Sequence, residues 1–153
     1  MAALEIPGVG EPLGQTQVRI MTFGASGESP TVNIGSGTGT TALFNINEPN
    51  VFVEKIESQV VLKISSAGTG AMTIGDSDDV DGYWTDTLLL ITTTAAVFNN
   101  MATTVAYAQG RLYTATQTID LIKASAIASV GKVRLRISYF RNADTNIKPA
   151  TST

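Results

Sequence analysis

Gly131-Lys-Val-Arg-Leu-Arg-Ile-Ser-Tyr139 alternates without a break. Val133, Leu135, Ile137 and Tyr139 fall on one side, and Lys132, Arg134, Arg136 and Ser138 on the other. Side chains of an extended chain point alternately to its two faces, so this pattern specifies a β-strand with one face buried and one wet. A helix would scatter the same apolar residues around its circumference.

Residues 51–65 repeat the pattern over the longest span in the chain. Ile56, Val60, Leu62 and Ile64 share a face with Ser58, while Lys55, Glu57, Gln59 and Lys63 point the other way. Shorter runs agree. Val18 and Ile20 alternate with Gln17, Arg19 and Met21, and strands are expected at Thr31–Ile34, Thr41–Ile46, Ala71–Ile74, Arg111–Thr114 and Thr118–Ile122. Turn residues separate them: Gly24-Ala-Ser-Gly27, Gly35-Ser-Gly-Thr-Gly39, Glu48-Pro49-Asn50 and Gly68-Thr-Gly70. Only residues 84–109 stay ambiguous, because Leu88-Leu-Leu-Ile91 fits a buried strand or a short helix.

Many short strands with glycine-rich turns imply an all-β domain, a β-sandwich of jelly-roll-like type. Its expected core is Ile56, Val60, Leu62, Ile64, Ile74, Ile119, Leu121, Val133, Leu135 and Ile137. The domain is expected over 17–141. Residues 142–153 read as a polar C-terminal tail. Residues 1–16 read as an extended N-terminal arm, since Pro7, Gly8, Gly10, Pro12 and Gly14 keep it out of helix and central strand.

The chain has 153 residues, which suits one domain with arms. Its 43% hydrophobic content marks it as globular. Charged residues are only 15%, against about 25% in a typical domain. So little charge suits faces covered by neighbours and favours self-association. The net charge of −3 and sequence pI of about 4.8 argue against general nucleic-acid binding. No basic-then-apolar leader and no long apolar run is present, so a soluble protein without a membrane span is expected.

With no histidine, a Ser-His-Asp triad is excluded. With no cysteine there is no thiolate nucleophile, disulfide or ordinary zinc site.

The acidic run Gly75-Asp-Ser-Asp-Asp-Val-Asp-Gly82 is the first candidate for chemistry. Asp76, Asp78, Asp79 and Asp81, with Asp86 nearby, are calcium candidates, since that ion takes six to eight oxygen ligands. The spacing departs from an EF-hand, because Val80 stands where a third ligand would sit. The competing reading is an Asp/Gly turn whose carboxylates accept from local backbone N–H groups, and a metal-free structural loop is the expectation. Four acids in one turn do not make a glycosidase pair flanking a cleft. Ser129-Val-Gly-Lys132 has a Ser-x-x-Lys spacing, but a strand follows where a helix is required.

Lys132, Arg134, Arg136 and Arg141 concentrate charge on one strand. They form either a basic patch for an acidic partner or a solvated face pairing with Glu54, Glu57 or Asp120. Tyr83-Trp84, which includes the single tryptophan, either stacks on a sugar or anchors its loop in a core. In the N-terminal stretch, Leu4, Ile6, Val9 and Leu13 are apolar residues for which a free tail has no use. They suit a segment that fills pockets on a neighbour or adds a strand to its edge. Since the period-two pattern starts near Gln17, the body is expected to fold without them.

Thr73-Ile-Gly-Asp76 continuing to Asp79-Val-Asp-Gly-Tyr83, then Gly110-Arg-Leu-Tyr-Thr114 with Thr118-Ile-Asp-Leu121, then Gly131-Lys-Val-Arg-Leu135, occur in this order. Together they resemble small structural proteins of tailed bacteriophages, some of which are decoration (cement) proteins of the head. The resemblance covers mainly residues 55–140. It implies a jelly-roll-like subunit on the outer surface of the virion capsid, bound to the major capsid protein, commonly as a homotrimer and with no catalytic residue or cofactor. On that reading Leu4, Ile6, Val9, Leu13, Arg134 and Arg136 are the partner-binding candidates. The alternative is a receptor- or carbohydrate-binding module of a phage fibre or surface structure, with Tyr83 and Trp84 exposed. An enzyme is not expected, because no catalytic constellation assembles.

Overall fold

The computed structural model describes residues 3–7, 10–28, 30–35, 37–63, 72–84, 99–100, 106–124 and 131–142. Its strands are β1 (Leu4–Ile6), β2 (Gln17–Gly24), β3 (Val32–Asn33), β4 (Gly39–Ile46), β5 (Val51–Leu62), β6 (Met72–Gly75), β7 (Asn99–Asn100), β8 (Arg111–Tyr113), β9 (Gln117–Lys123) and β10 (Lys132–Arg141). They form two sheets. One has the order β1-β4-β9-β6, and the other β3-β2-β10-β5-β7, with β8 also pairing β5. The described residues hold no α-helix, so none is long and apolar enough to cross a membrane. The protein is a β-sandwich, as the alternation predicts.

β10 is the axis of the larger sheet, antiparallel to β2 on one side and to β5 on the other. Its inner residues Val133, Leu135, Ile137 and Tyr139 are fully buried. They meet Met21 and Phe23 of β2 and Ile56 and Val60 of β5, and across the core Leu43, Phe44, Ile46, Ile74, Ile119 and Leu121 of the smaller sheet. Of the expected core, Leu62 is only half-buried, at the far end of its ladder, and Ile64 lies outside the described residues. The Leu88–Ile91 run also lies outside them.

Bulges set the phase of the long strands. β5 pairs Lys55 with Ser138 but Val53 with Tyr139, so one extra residue sits near Glu54. That insertion lets Val51 and Val53 on one side of it, and Ile56 and Val60 on the other, all face the core. A second bulge leaves Val61 unmatched between Val60 and Leu62, and it is exposed. In β4 the pairing jumps from Ala42 to Phe44, so the consecutive residues Leu43 and Phe44 are both buried.

Part of the stretch read as an extended arm over 1–16 is a strand of the smaller sheet. Leu4–Ile6 runs parallel to β4 in register with Phe44–Ile46, and Ile6 is completely buried. Further on, Glu11 accepts from Arg19 Nε at 3.0 Å and from the Tyr139 hydroxyl at 2.7 Å. Arg141 donates to the Glu11 carbonyl at 2.8 Å, and Gly14 N–H to the Arg141 carbonyl at 2.8 Å. These contacts tie the described part of 3–16 to the body, so the boundary expected at residue 17 separates no independent unit.

Candidate interaction surface

On the outer face of the larger sheet, three cross-strand rows follow from the register. They are Val18–Ser138–Lys55, Ile20–Arg136–Glu57 and Thr22–Arg134–Gln59. The sequence shows alternation in β2 but not its phase. Met21 and Phe23 turn inward, which leaves Val18 and Ile20 outside, both more than half exposed. Bulk decides it, because Phe23 and Met21 fill the core while Arg19 at the sandwich rim is taken up by Glu11.

Arg136 Nε donates to Glu57 Oε2 at 2.7 Å, and Lys55 Nζ lies 3.3 Å from Glu57 Oε1. The Arg136 hydrogen bond, opposed by burial, holds the Glu57 carboxyl below its usual range. Arg136 thus pairs across the sheet with Glu57, which is itself buried. Arg134 is exposed, and its Nη1 meets an amide oxygen, Gln59 Oε1, at 2.9 Å. The three rows carry Lys55, Arg134 and Arg136 against Glu57, an excess of positive charge on a chain whose net charge is −3.

The other partner-binding candidates separate. Ile6 lies in the chain's own core and Leu4 packs against it. Ile6 is therefore corrected to a core residue, because the parallel pairing with β4 points its side chain between the sheets. Leu13 is exposed, bridging to Arg141 by its backbone. Val9 lies outside the described residues.

The acidic run folds as a turn built around one carboxylate. Asp76 is buried, and its Oδ1 accepts from the N–H groups of Asp78 at 2.9 Å and Asp79 at 3.1 Å. The same oxygen accepts from the Tyr107 hydroxyl at 3.0 Å, and Oδ2 from the Tyr113 hydroxyl at 2.8 Å. Arg111 Nε lies 2.9 Å from Oδ2, and its guanidinium packs over the Tyr107 and Tyr113 rings while also reaching Asp78. Burial pushes the Tyr83, Tyr107 and Tyr113 phenols up, so all three stay protonated donors.

With its oxygens filled by donors, Asp76 has nothing left for a cation. Asp79 Oδ1 accepts from Asp81 N–H at 3.3 Å. Among the described residues, no three acidic groups gather as a metal site, and Asp86 lies outside them. A polar hollow of about 320 Å³ opens between Ser77–Asp78 and Thr114–Gln117. The cation in its wall, Arg111, is engaged by Asp76 and Asp78.

Tyr83 and Trp84 are buried, the outcome of the anchor reading. Trp84 bridges to Ile74, and the Tyr83 ring meets Tyr107 edge-on at 5.0 Å. Sequence reasoning missed Tyr107, Arg111 and Tyr113 as partners of Asp76, because more than 30 residues separate them. It also missed Glu11 as a tether, whose only local signal is a lone acid between Gly10 and Pro12.

No protein-family model matches the chain, and no curated protein does. Two solved structures are similar in fold. One is a chain of the cyanophage Pam1 capsid asymmetric unit, with a TM-score of 0.55 and 18% identity, covering 92% of this chain and 94% of that one. The other is a chain of the acidic stable capsid structure of Helicobacter pylori bacteriophage KHP30, with a TM-score of 0.44, 15% identity, and coverage of 82% and 86%.

Proposed function

We propose that this chain is a non-enzymatic structural subunit of a bacteriophage capsid, a decoration protein that seats on the outer surface of the head and reinforces it. The observation that carries this reading is the fold likeness to a chain of the Pam1 capsid asymmetric unit over nearly the whole of both chains. Near-equal coverage means that the counterpart is a subunit of this size, not a domain inside a larger shell protein. The low charge and the absence of histidine and cysteine support a packing role over a chemical one.

The partner is the major capsid protein, and the subunit is a homotrimer in which weakly charged faces meet without stranding ions. Arg134 and Arg136 on the outer face and the exposed Leu13 are the residues assigned to shell contact. The receptor- or carbohydrate-binding alternative requires Tyr83 and Trp84 at the surface, and their burial removes its stacking platform.

The test uses virions of the phage that encodes the chain. Many copies per head by quantitative mass spectrometry, and heads that burst at lower temperature when the protein is missing, are the expected results. A few copies at one vertex, or heads of unchanged stability without it, would refute the proposal.

A further inference from the structure

The two lateral sides of the larger sheet differ in charge. On one side, β2 turns Val18 and Ile20 outward, 52% and 55% exposed. Thr31 exchanges hydrogen bonds with Thr22, and β3 pairs with Phe23 and Gly24. The chain itself therefore covers β2 from Thr22 on and leaves the Val18 and Ile20 rows open. In those rows Lys55 and Arg136 stand against one carboxylate, Glu57.

On the other side, beyond β5, β8 turns Leu112 outward, 43% exposed. Leu112 shares a row with Phe52 and Phe140, whose ring centroids lie 5.2 Å apart. Arg111, next to Leu112, reaches Asp78, which sets the acidic turn at this same side. Val80 in that turn is 53% exposed. Arg111 takes up Asp76 and Asp78, whereas Asp79 and Asp81, flanking Val80, form no ion pair among the described residues. A hydrogen bond with the Asp81 side chain pushes the Asp79 carboxyl up, the mark of two acids crowded together.

One side is thus apolar and basic, and the other apolar and acidic. We infer that the Val18–Ile20 side of one copy docks on the Leu112–Val80 side of the next, with Lys55 and Arg136 facing Asp79 and Asp81. This joint rests on the homotrimer reading. It takes Arg136 for the contact between copies and leaves Arg134, in the Thr22 row behind Thr31, to the shell.

Symmetry and charge select this arrangement. A three-fold ring is built from joints that each pair two different patches, not one patch with itself. Joining like sides would set Lys55 and Arg136 against their own copies, or Asp79 and Asp81 against theirs. Only the mixed contact brings opposite signs around apolar centres, the complementarity that orients association. β2 and β8 lie on opposite sides of the β10–β5 pair, so the two patches of one copy cannot meet each other.

Sedimentation of the full-length chain reads the joint. Val18→Asp sets an acid against the acidic turn, and Val80→Lys sets a cation against the basic side. Both positions are more than half exposed, so each variant should keep the parent's circular dichroism. Each alone should weaken self-association by about tenfold or more. Combined in one chain, the two changes restore opposite charges at every joint and should bring association back toward the parent's. Added salt should weaken the parent's association. A trimeric parent whose single variants associate equally well, or a double variant no better than the singles, overturns the joint and leaves the homotrimer standing. Single variants that assemble normally but bind heads poorly give this side to the shell, which also overturns the joint. A parent that stays monomeric at micromolar concentration overturns both.

Discussion

The Tyr113 hydroxyl and the Asp76 carboxylate meet at 2.8 Å in the interior, joining β8 of one sheet to the turn after β6 of the other. Tyr83 adds a second phenol, 3.0 Å from that of Tyr113. Asp76 closes its own turn through two backbone N–H groups and also neutralises Arg111. One side chain therefore holds a turn, an ion pair and a link between sheets.

Asp76→Ala should accordingly be among the most damaging single changes in the chain. It leaves the Arg111 guanidinium without its buried counter-charge, for which about 3–5 kcal/mol is expected. Tyr113→Phe removes a single hydrogen bond and should cost about 1 kcal/mol. Urea unfolding of the three proteins gives the comparison, and equal losses would show that the carboxylate is not the hub.

Glu57 supplies a pH dependence. Its carboxyl is held below the ordinary 4.5 chiefly by the Arg136 hydrogen bond. A depressed folded-state value means stability that is fully present above 4.5 and lost as pH falls through the lower, folded value. Glu57→Gln should flatten the acid limb of the stability–pH curve. An acid limb as steep as the parent's would assign it to other carboxylates.

The N-terminal strand gives a stability prediction opposite to that of a dispensable arm. Ile6→Ala opens a cavity in the core and should cost about 2–5 kcal/mol. Removing residues 2–7 should lower the melting temperature at least as much. A truncated protein that melts like the parent would mean that β1 contributes nothing to the sandwich.

Gly75 lies where β6 enters the acidic turn. A Cβ placed there would sit 2.0 Å from the Asp79 carbonyl oxygen, a backbone atom held in a tight turn. Gly75→Ala should therefore destabilise by about 1–3 kcal/mol through forced displacement of the turn. Thermal unfolding measures it, and a neutral result would mean that the turn moves freely.

Much of the sandwich could be read in advance because β10, and β5 from Lys55 to Val60, alternate in a way that depends only on neighbours in sequence. Ile56, Val60, Val133, Leu135 and Ile137 sit where that pattern puts them. β1 was not legible. Three residues among prolines and glycines make no period, and their partner Phe44–Ile46 lies 40 residues away. The acidic run was legible as a turn but not as a hub, since Tyr107, Arg111 and Tyr113 reach Asp76 only through the tertiary fold. In β2 the pattern alone could not say which set faces inward, and that choice left Val18 and Ile20 on the outside.

The bulge near Glu54 bears on how this sequence can vary. Substitutions at Glu54 or Lys55 should be tolerated, since neither is buried. Deleting one residue there would make the ladder with β10 regular and would shorten the step from Val53 to Ile56 from three residues to two, which keeps Val51 and Val53 on the core face. Relatives of this chain should therefore differ freely at this point of β5, both in the letters and by the loss of the one extra residue, with no compensating insertion in β10.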